Sequence, residues 1–154
     1  SEGAQVDVES SSTMRGMRMF VTPDGLAGAA LKHDDMDAPG ESTYVTAVVK
    51  SSTGSWRHSA LGTVGACVRN GGSRLDCFDT FLPKIYGKAG FKPVARIPFD
   101  REYAPDGWDY DWASNFAVDG CPDVVFMVRD DSPHDVVDME SYDDAYAYAS
   151  SMTR

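Results

Sequence analysis

The sequence predicts an α+β domain, a layered mixed sheet flanked by helices. Two observations predict it. From residue 43 onward the chain alternates strand, Ser/Gly loop, helix, strand, helix, strand, aromatic excursion and strand. Alternation of this kind builds a sheet covered by helices. The 154 residues are 42% hydrophobic, which suits one domain with its own core.

Each element has a local reason. Residues 1–14 (SEGAQVDVESSSTM) are polar and Ser-rich, so 1–16 read as a flexible N-terminal segment. Residues 17–22 (MRMFVT) read as a strand ended by the turn Pro23-Asp24-Gly25. Residues 26–32 (LAGAALK) return as a second strand, and His33 to Glu41 form a polar connection. Residues 43–50 (TYVTAVVK) are β-branched and aromatic, the composition of a strand. The loop SSTGSW (51–56) leads into a helix over 57–70, where Leu61, Val64 and Val68 recur at helical spacing beside Ala60 and Cys67. Asn70-Gly71-Gly72 stops it, because glycine tolerates the left-handed conformation.

Residues 74–79 (RLDCFD) form a short strand. Thr80 caps a helix over 81–89 with the face Leu82, Ile85, Tyr86 and Ala89, and Gly90 ends it. Residues 91–99 (FKPVARIPF) read as a strand whose prolines, Pro93 and Pro98, place it at an edge or a bulge. Residues 100–122 are an aromatic-rich excursion, and 123–129 (DVVFMVR) the last clear strand. The main domain therefore spans 17–129. Residues 130–154 form an acidic tail in which SYDDAYAYAS is a marginal helix or disordered.

The net charge is −10, and residues 130–154 hold seven acids against one base, Arg154. No basic cluster is present to neutralise phosphates, so nucleic acid is not an expected partner, and polybasic membrane attachment fails for the same reason. No run of ~18 apolar residues predicts a membrane span. No basic stretch followed by an apolar one marks a secretory signal. The sequence opens on Ser1 rather than Met, as a processed chain or an excised domain would. Cys67, Cys77 and Cys121 are odd in number and widely spaced, so a disulfide framework is not expected and reduced, partly buried thiols are. No CxxC or CxxxH pair points to zinc, and Asp106, Asp109 and Asp111 do not match a calcium loop. No metal is expected.

A strand feeding a small-residue loop and then a helix N-terminus makes an anion site, since free backbone N–H groups and the helix dipole favour phosphate. Here the loop runs Ser51, Ser52, Thr53, Gly54, Ser55, Trp56, and Arg57 opens the helix. An ordinary Ser/Gly connection has the same composition. The unit strand–loop–helix–strand–helix–strand over 43–99 resembles the core of the GNAT N-acetyltransferase superfamily. The piece FLPKIYGKAGFKPVARIPF (81–99) is similar to that family's penultimate helix and following strand, with Tyr86, Lys88, Gly90 and Phe91 at the matching positions. GACVRNGGSRLDCFD resembles the helix, glycine turn and strand leading into it. EYAPDGWDYD and GCPDVVFMVR resemble the ends of GNAT-like domains encoded by bacteriophages and prophages.

That resemblance implies a GNAT-like mixed central sheet and acetyl-CoA as cofactor. It implies an acyl-CoA-dependent N-acetyltransferase that passes the acetyl group directly to an amine, either a small molecule or a protein. The pyrophosphate would lie on Ser52, Thr53, Gly54, Ser55, Trp56 and Arg57. The strand end Val48, Val49 and Lys50 would polarise the thioester carbonyl through backbone N–H groups. Tyr86 aligns with the family's usual general acid, a phenol that protonates the departing thiolate; its other role is as a core residue of an amphipathic face. Asp76 and Asp79 flank the preceding strand and are candidate bases, as are Glu41 and His58. Asp79 could equally cap the next helix, and His58 could be a surface residue.

A cationic acceptor would be drawn to Asp106, Asp109 and Asp111 and to the faces of Trp108, Tyr110 and Trp112. The same aromatics could instead cover one end of the sheet. No Gly-x-Ser-x-Gly elbow and no P-loop is present. Cys77 sits beside Asp76, a poor setting for a nucleophilic thiolate. The second reading is a GNAT-like binding or structural module without turnover, a phage accessory or virion-associated protein whose acidic tail takes a protein partner. It suits a loop with one glycine and a Trp at 56 and a short, polar N-terminal segment. The expected location is a bacterial host cytoplasm, or the virion.

Overall fold

A computed structural model describes residues 7–9, 17–21, 27–33, 37, 43–49, 56–132 and 134–152, with the backbone alone described over 7–9, 17–21, 27–28, 47–49 and 56–61. The class is α+β. The chain forms two compact units, Ser1–Leu75 and Asp76–Arg154, and the cut falls inside one strand.

In the first unit, β1 (Asp7–Glu9), β2 (Met17–Val21), β3 (Ala27–Lys32) and β4 (Tyr44–Val49) form an antiparallel meander. Its registers include Val8↔Phe20, Met19↔Ala30 and Ala29↔Ala47. The N-terminal segment expected to be a mobile lead-in thus contributes β1. Helix α1 (Trp56–Arg69) crosses over to β5 (Arg74–Phe78), which pairs parallel to β4 through Tyr44↔Arg74 and Val45↔Leu75. A parallel partner requires such a crossover. Leu31, Val45, Val64, Cys67 and Leu75 are buried where α1 packs on β3 and β4.

The end of α1 follows from its sequence. Gly72 N–H reaches the Cys67 carbonyl at 2.8 Å and Gly71 N–H the Val68 carbonyl at 3.1 Å, with Gly71 at φ 103°. This is a Schellman stop. A Cβ on Gly72 would lie 2.7 Å from Val45 Cγ2 and 3.0 Å from the Cys67 carbonyl oxygen, so only glycine fits. The polar connection before β4 hides a buried ion pair. Arg74 Nη2 lies 3.5 Å from Asp37 Oδ1, and Asp37 also accepts from the Thr43 backbone N–H at 3.1 Å and from the Thr43 hydroxyl. The pair fixes where β4 and β5 begin. The sequence analysis placed Asp37 in a polar connection and Arg74 at the start of a short strand, and did not pair them.

In the second unit, the end of β5 is followed by α2 (Leu82–Gly87), β6 (Phe91–Ile97), α3 (Tyr110–Ala113), β7 (Val124–Arg129), β8 (Val137–Asp138) and α4 (Tyr142–Ser151). Strand β7 lies between β5 and β6. It is antiparallel to β6, while β8 is parallel to β6 through Ala95↔Val137 and Arg96↔Asp138. The Pro93 signal becomes a bulge between Pro93 and Ala95. An interior strand accommodates proline there because the bulge removes the need for its N–H. Residues 137–151 of the acidic stretch belong to this unit's core. Ala145 and Ala149 of α4 bury against Val94, Ala95, Ile97, Phe126 and Val128. Ser141 caps that helix, accepting from the Asp144 N–H at 3.3 Å.

Candidate functional site

The chemistry-bearing side chains of the second unit gather at the end of β5. The strand places Cys77 inward, with Asp76 before it and Asp79 after it. Cys77 is 8% exposed and Tyr86 of α2 is 3% exposed. Burial pushes the Cys77 thiol well above its ordinary pKa, and the negative charges of Asp76 and Asp79 add to the shift. Burial also pushes the Tyr86 phenol up, with Cys77 a secondary cause. Both groups are therefore protonated at neutral pH. Cys77 is no nucleophile there, as its acidic neighbours suggest, and Tyr86 holds a proton it could donate.

Asp79 does not cap α2. That helix has no side-chain cap at Phe81, although the Thr80 hydroxyl accepts from the Leu82 N–H at 3.4 Å. The Asp79 carboxylate instead pairs with Arg96 of β6, and Arg96 also meets Asp123 at 3.4 Å. The hydrogen bond to Asp79 raises the Arg96 pKa further, against the opposing effect of burial. One cation serves two carboxylates, leaving one net negative charge. That contact occupies the Asp79 carboxylate. Asp76 accepts from the Tyr142 hydroxyl of α4 at 3.0 Å. Asp79 is thus held to Arg96 and Asp76 is turned to α4, while Tyr86 is buried within electrostatic reach of Cys77.

Beside this group lies a cleft of about 330 Å³ lined by Asp79, Phe116, Ala117, Val118, Cys121, Pro122 and Asp123. The aromatic excursion that forms its far wall is held in place by its own packing. Trp108 lies 4.5 Å from Phe78 and 5.6 Å from Phe99, centroid to centroid. Asp109 caps α3 by accepting from the Trp112 N–H at 3.0 Å. Tyr110 packs on Phe99 and carries the Arg101 guanidinium 5.1 Å over its ring. Asp106 is exposed. Of the residues proposed to hold an acceptor, Trp108, Asp109 and Tyr110 therefore have structural work of their own, and Trp108 packs against Phe78 at the end of β5.

Arg96, Asp123, Phe116 and Val118 were not singled out by sequence reasoning, and Cys121 was read only as a reduced thiol. The signal for Arg96 was the single charge in VARIPF, within a strand that otherwise turns apolar residues inward.

In the first unit, Val48 and Val49 end β4, and Trp56 and Arg57 open α1. The side chains of these four, and all of Lys50, Ser52, Thr53, Gly54, Ser55 and Glu41, lie outside the described residues, as does the His58 side chain. Among the described residues, no group of three or more His, Cys, Asp and Glu could hold a metal ion, and no helix is long and apolar enough to cross a membrane. Comparison of the chain with protein-family models, curated proteins and solved structures gives no match.

Proposed function

We propose that this chain is an acyl-CoA-dependent N-acetyltransferase of GNAT type that transfers the acetyl group directly to an amine. The observation that supports it most is the unit β4–α1–β5, a parallel strand pair bridged by a 14-residue helix that begins immediately after the Ser/Thr/Gly stretch 51–55 of the sequence. Exposed backbone N–H groups at such a helix start suit a pyrophosphate. The second unit adds support, since α2 carries Tyr86 directly after β5, and β7 returns between β5 and β6.

In this reading a neutral amine attacks the thioester carbonyl carbon, the C–S bond breaks, and the thiolate takes the Tyr86 proton. The proton that the nitrogen sheds on becoming an amide passes to a base or water, from which the Tyr86 phenolate is reprotonated. Positioning supplies much of the rate. The Arg96 contact disfavours Asp79 as the base, so Asp76 is the remaining carboxylate candidate at that strand.

Isothermal titration of the full chain with acetyl-CoA tests the proposal. Micromolar binding that is lost in Gly54→Asp, with folding retained, is the expected result. No binding by the folded chain overturns it. The burial of Tyr86, at 3% exposure, favours a second reading: a GNAT-like module without turnover, such as a phage accessory or virion-associated protein that binds another protein. Acetyl-CoA binding without acetyl transfer to any of a panel of amines, or no binding at all, selects it.

A further inference from the structure

We propose that the apolar, acid-rimmed surface formed by Phe81, Trp112, Phe116 and Val118 beside the Asp79–Asp123 cleft docks a basic amphipathic segment of a partner protein. Val118 is 84% exposed, and Trp112 and Phe116 are each 41% exposed. They are contiguous. Trp112 and Phe116 lie 5.1 Å apart by ring centroid, and Phe81 lies 5.9 and 6.0 Å from the two. Phe116 and Val118 share the wall of the cleft with Asp79 and Asp123. Scattered apolar side chains on a surface need no explanation, but a contiguous aromatic patch marks an interaction site, and buried aromatic anchors dominate binding energy.

The charge around the patch selects the occupant. Asp79 and Asp123 share one guanidinium, so the cleft keeps one negative charge in excess. The segment 100–122 that supplies the patch carries six acids and one base. An anionic surface such as nucleic acid or an acidic membrane is repelled, whereas a Lys or Arg over the cleft is attracted. The partner then sets apolar side chains on Trp112, Phe116 and Val118 and a cation over Asp123. None of this depends on the acyl-CoA reading.

The test is isothermal titration of the full chain with an acetylated, amidated peptide of alternating Leu and Lys, at an ionic strength where the screening length is about 8 Å. Peptides with every Leu replaced by Ser, or every Lys by Glu, serve as controls. The expected result is binding of the Leu/Lys peptide and at least about tenfold weaker binding of both controls. The double variant Val118→Ser, Asp123→Asn, with an unchanged unfolding midpoint, also loses about tenfold. Tyr103→Ser and Val136→Ser, at exposed apolar positions outside the patch, leave binding unchanged. Absence of Leu/Lys binding overturns the proposal. So does equal binding of the Ser/Lys peptide, which would be attraction to an acidic chain, and so does an equal loss in the Tyr103 or Val136 variant. Failure of acetyl-CoA to bind would leave this result standing.

Discussion

The Trp108 indole Nε1 donates to the Gly120 carbonyl at 2.9 Å and so closes the aromatic excursion on itself. Gly120 sits at φ 70°, and a Cβ there would collide with the Tyr110 carbonyl oxygen. The loop wall thus combines its aromatic packing with one indole hydrogen bond and one position that admits no side chain.

Trp108→Phe keeps an aromatic ring against Phe78 and Phe99 but leaves the Gly120 carbonyl without this donor. The expected loss is about 1–2 kcal/mol in urea unfolding. Gly120→Ala combines a steric collision with an unfavourable backbone conformation, and the expected loss is about 3 kcal/mol. A Gly120→Ala chain as stable as the parent would show that the excursion does not hold this conformation.

Cys77 and Tyr86 give the fold an alkaline limit. Both are acids whose pKa is raised by burial, so the folded chain retains protons that the unfolded chain releases. Their contribution is complete below the unfolded pKa values, ordinarily 9.0 for the thiol and 10.0 for the phenol, and falls as pH rises past them. Between about pH 8 and pH 10 the stability should drop by about 1–2 kcal/mol on their account. Urea midpoints at the two pH values measure it, and Cys77→Ala should remove most of the drop. Tyr86→Phe then separates fold from chemistry. In an active enzyme it lowers kcat while acetyl-CoA affinity holds; in a module without turnover it changes stability alone.

Much of the fold was legible because its signals are local. The β-branched run at 44–49, the glycine pair after α1 and the Leu82/Ile85/Tyr86 face each declare an element within a few residues. Contacts between residues far apart in sequence were not legible. The Asp37–Arg74 pair joins a polar connection to the start of β5, and the Asp79–Arg96–Asp123 group joins three elements. A charged residue read in isolation looks solvated, since most are. The strand β1 was missed because three residues in a Ser-rich stretch carry no periodicity; pairing with β2 makes them a strand. The acid content of 130–154 concealed the small-residue face of α4, where Ala145 and Ala149 bury at a spacing of four.

That helix supplies a sharp test of the second unit's core. Ala149 is 1% exposed and packs in the cluster with Val94, Ala95 and Phe126. Ala149→Glu would force a carboxylate into that cluster, with an expected cost of about 3 kcal/mol or more. Ser141→Ala removes only the cap to the Asp144 N–H, and about 1 kcal/mol is expected. If residues 137–151 were a free acidic arm, both substitutions would leave the unfolding midpoint unchanged.

Arg96→Gln tests the charge arrangement at the cleft. The substitution leaves Asp79 and Asp123 facing each other without their shared cation. Because all three side chains are roughly a third exposed (31%, 39% and 40%), solvent screening limits the expected destabilisation to about 1 kcal/mol. Repulsion between the two carboxylates should make it shrink as salt is added. Urea midpoints of parent and variant across a range of salt concentrations give the measurement. A variant deficit that does not change with salt would mean that Arg96 acts through its packed methylene chain and not through its charge.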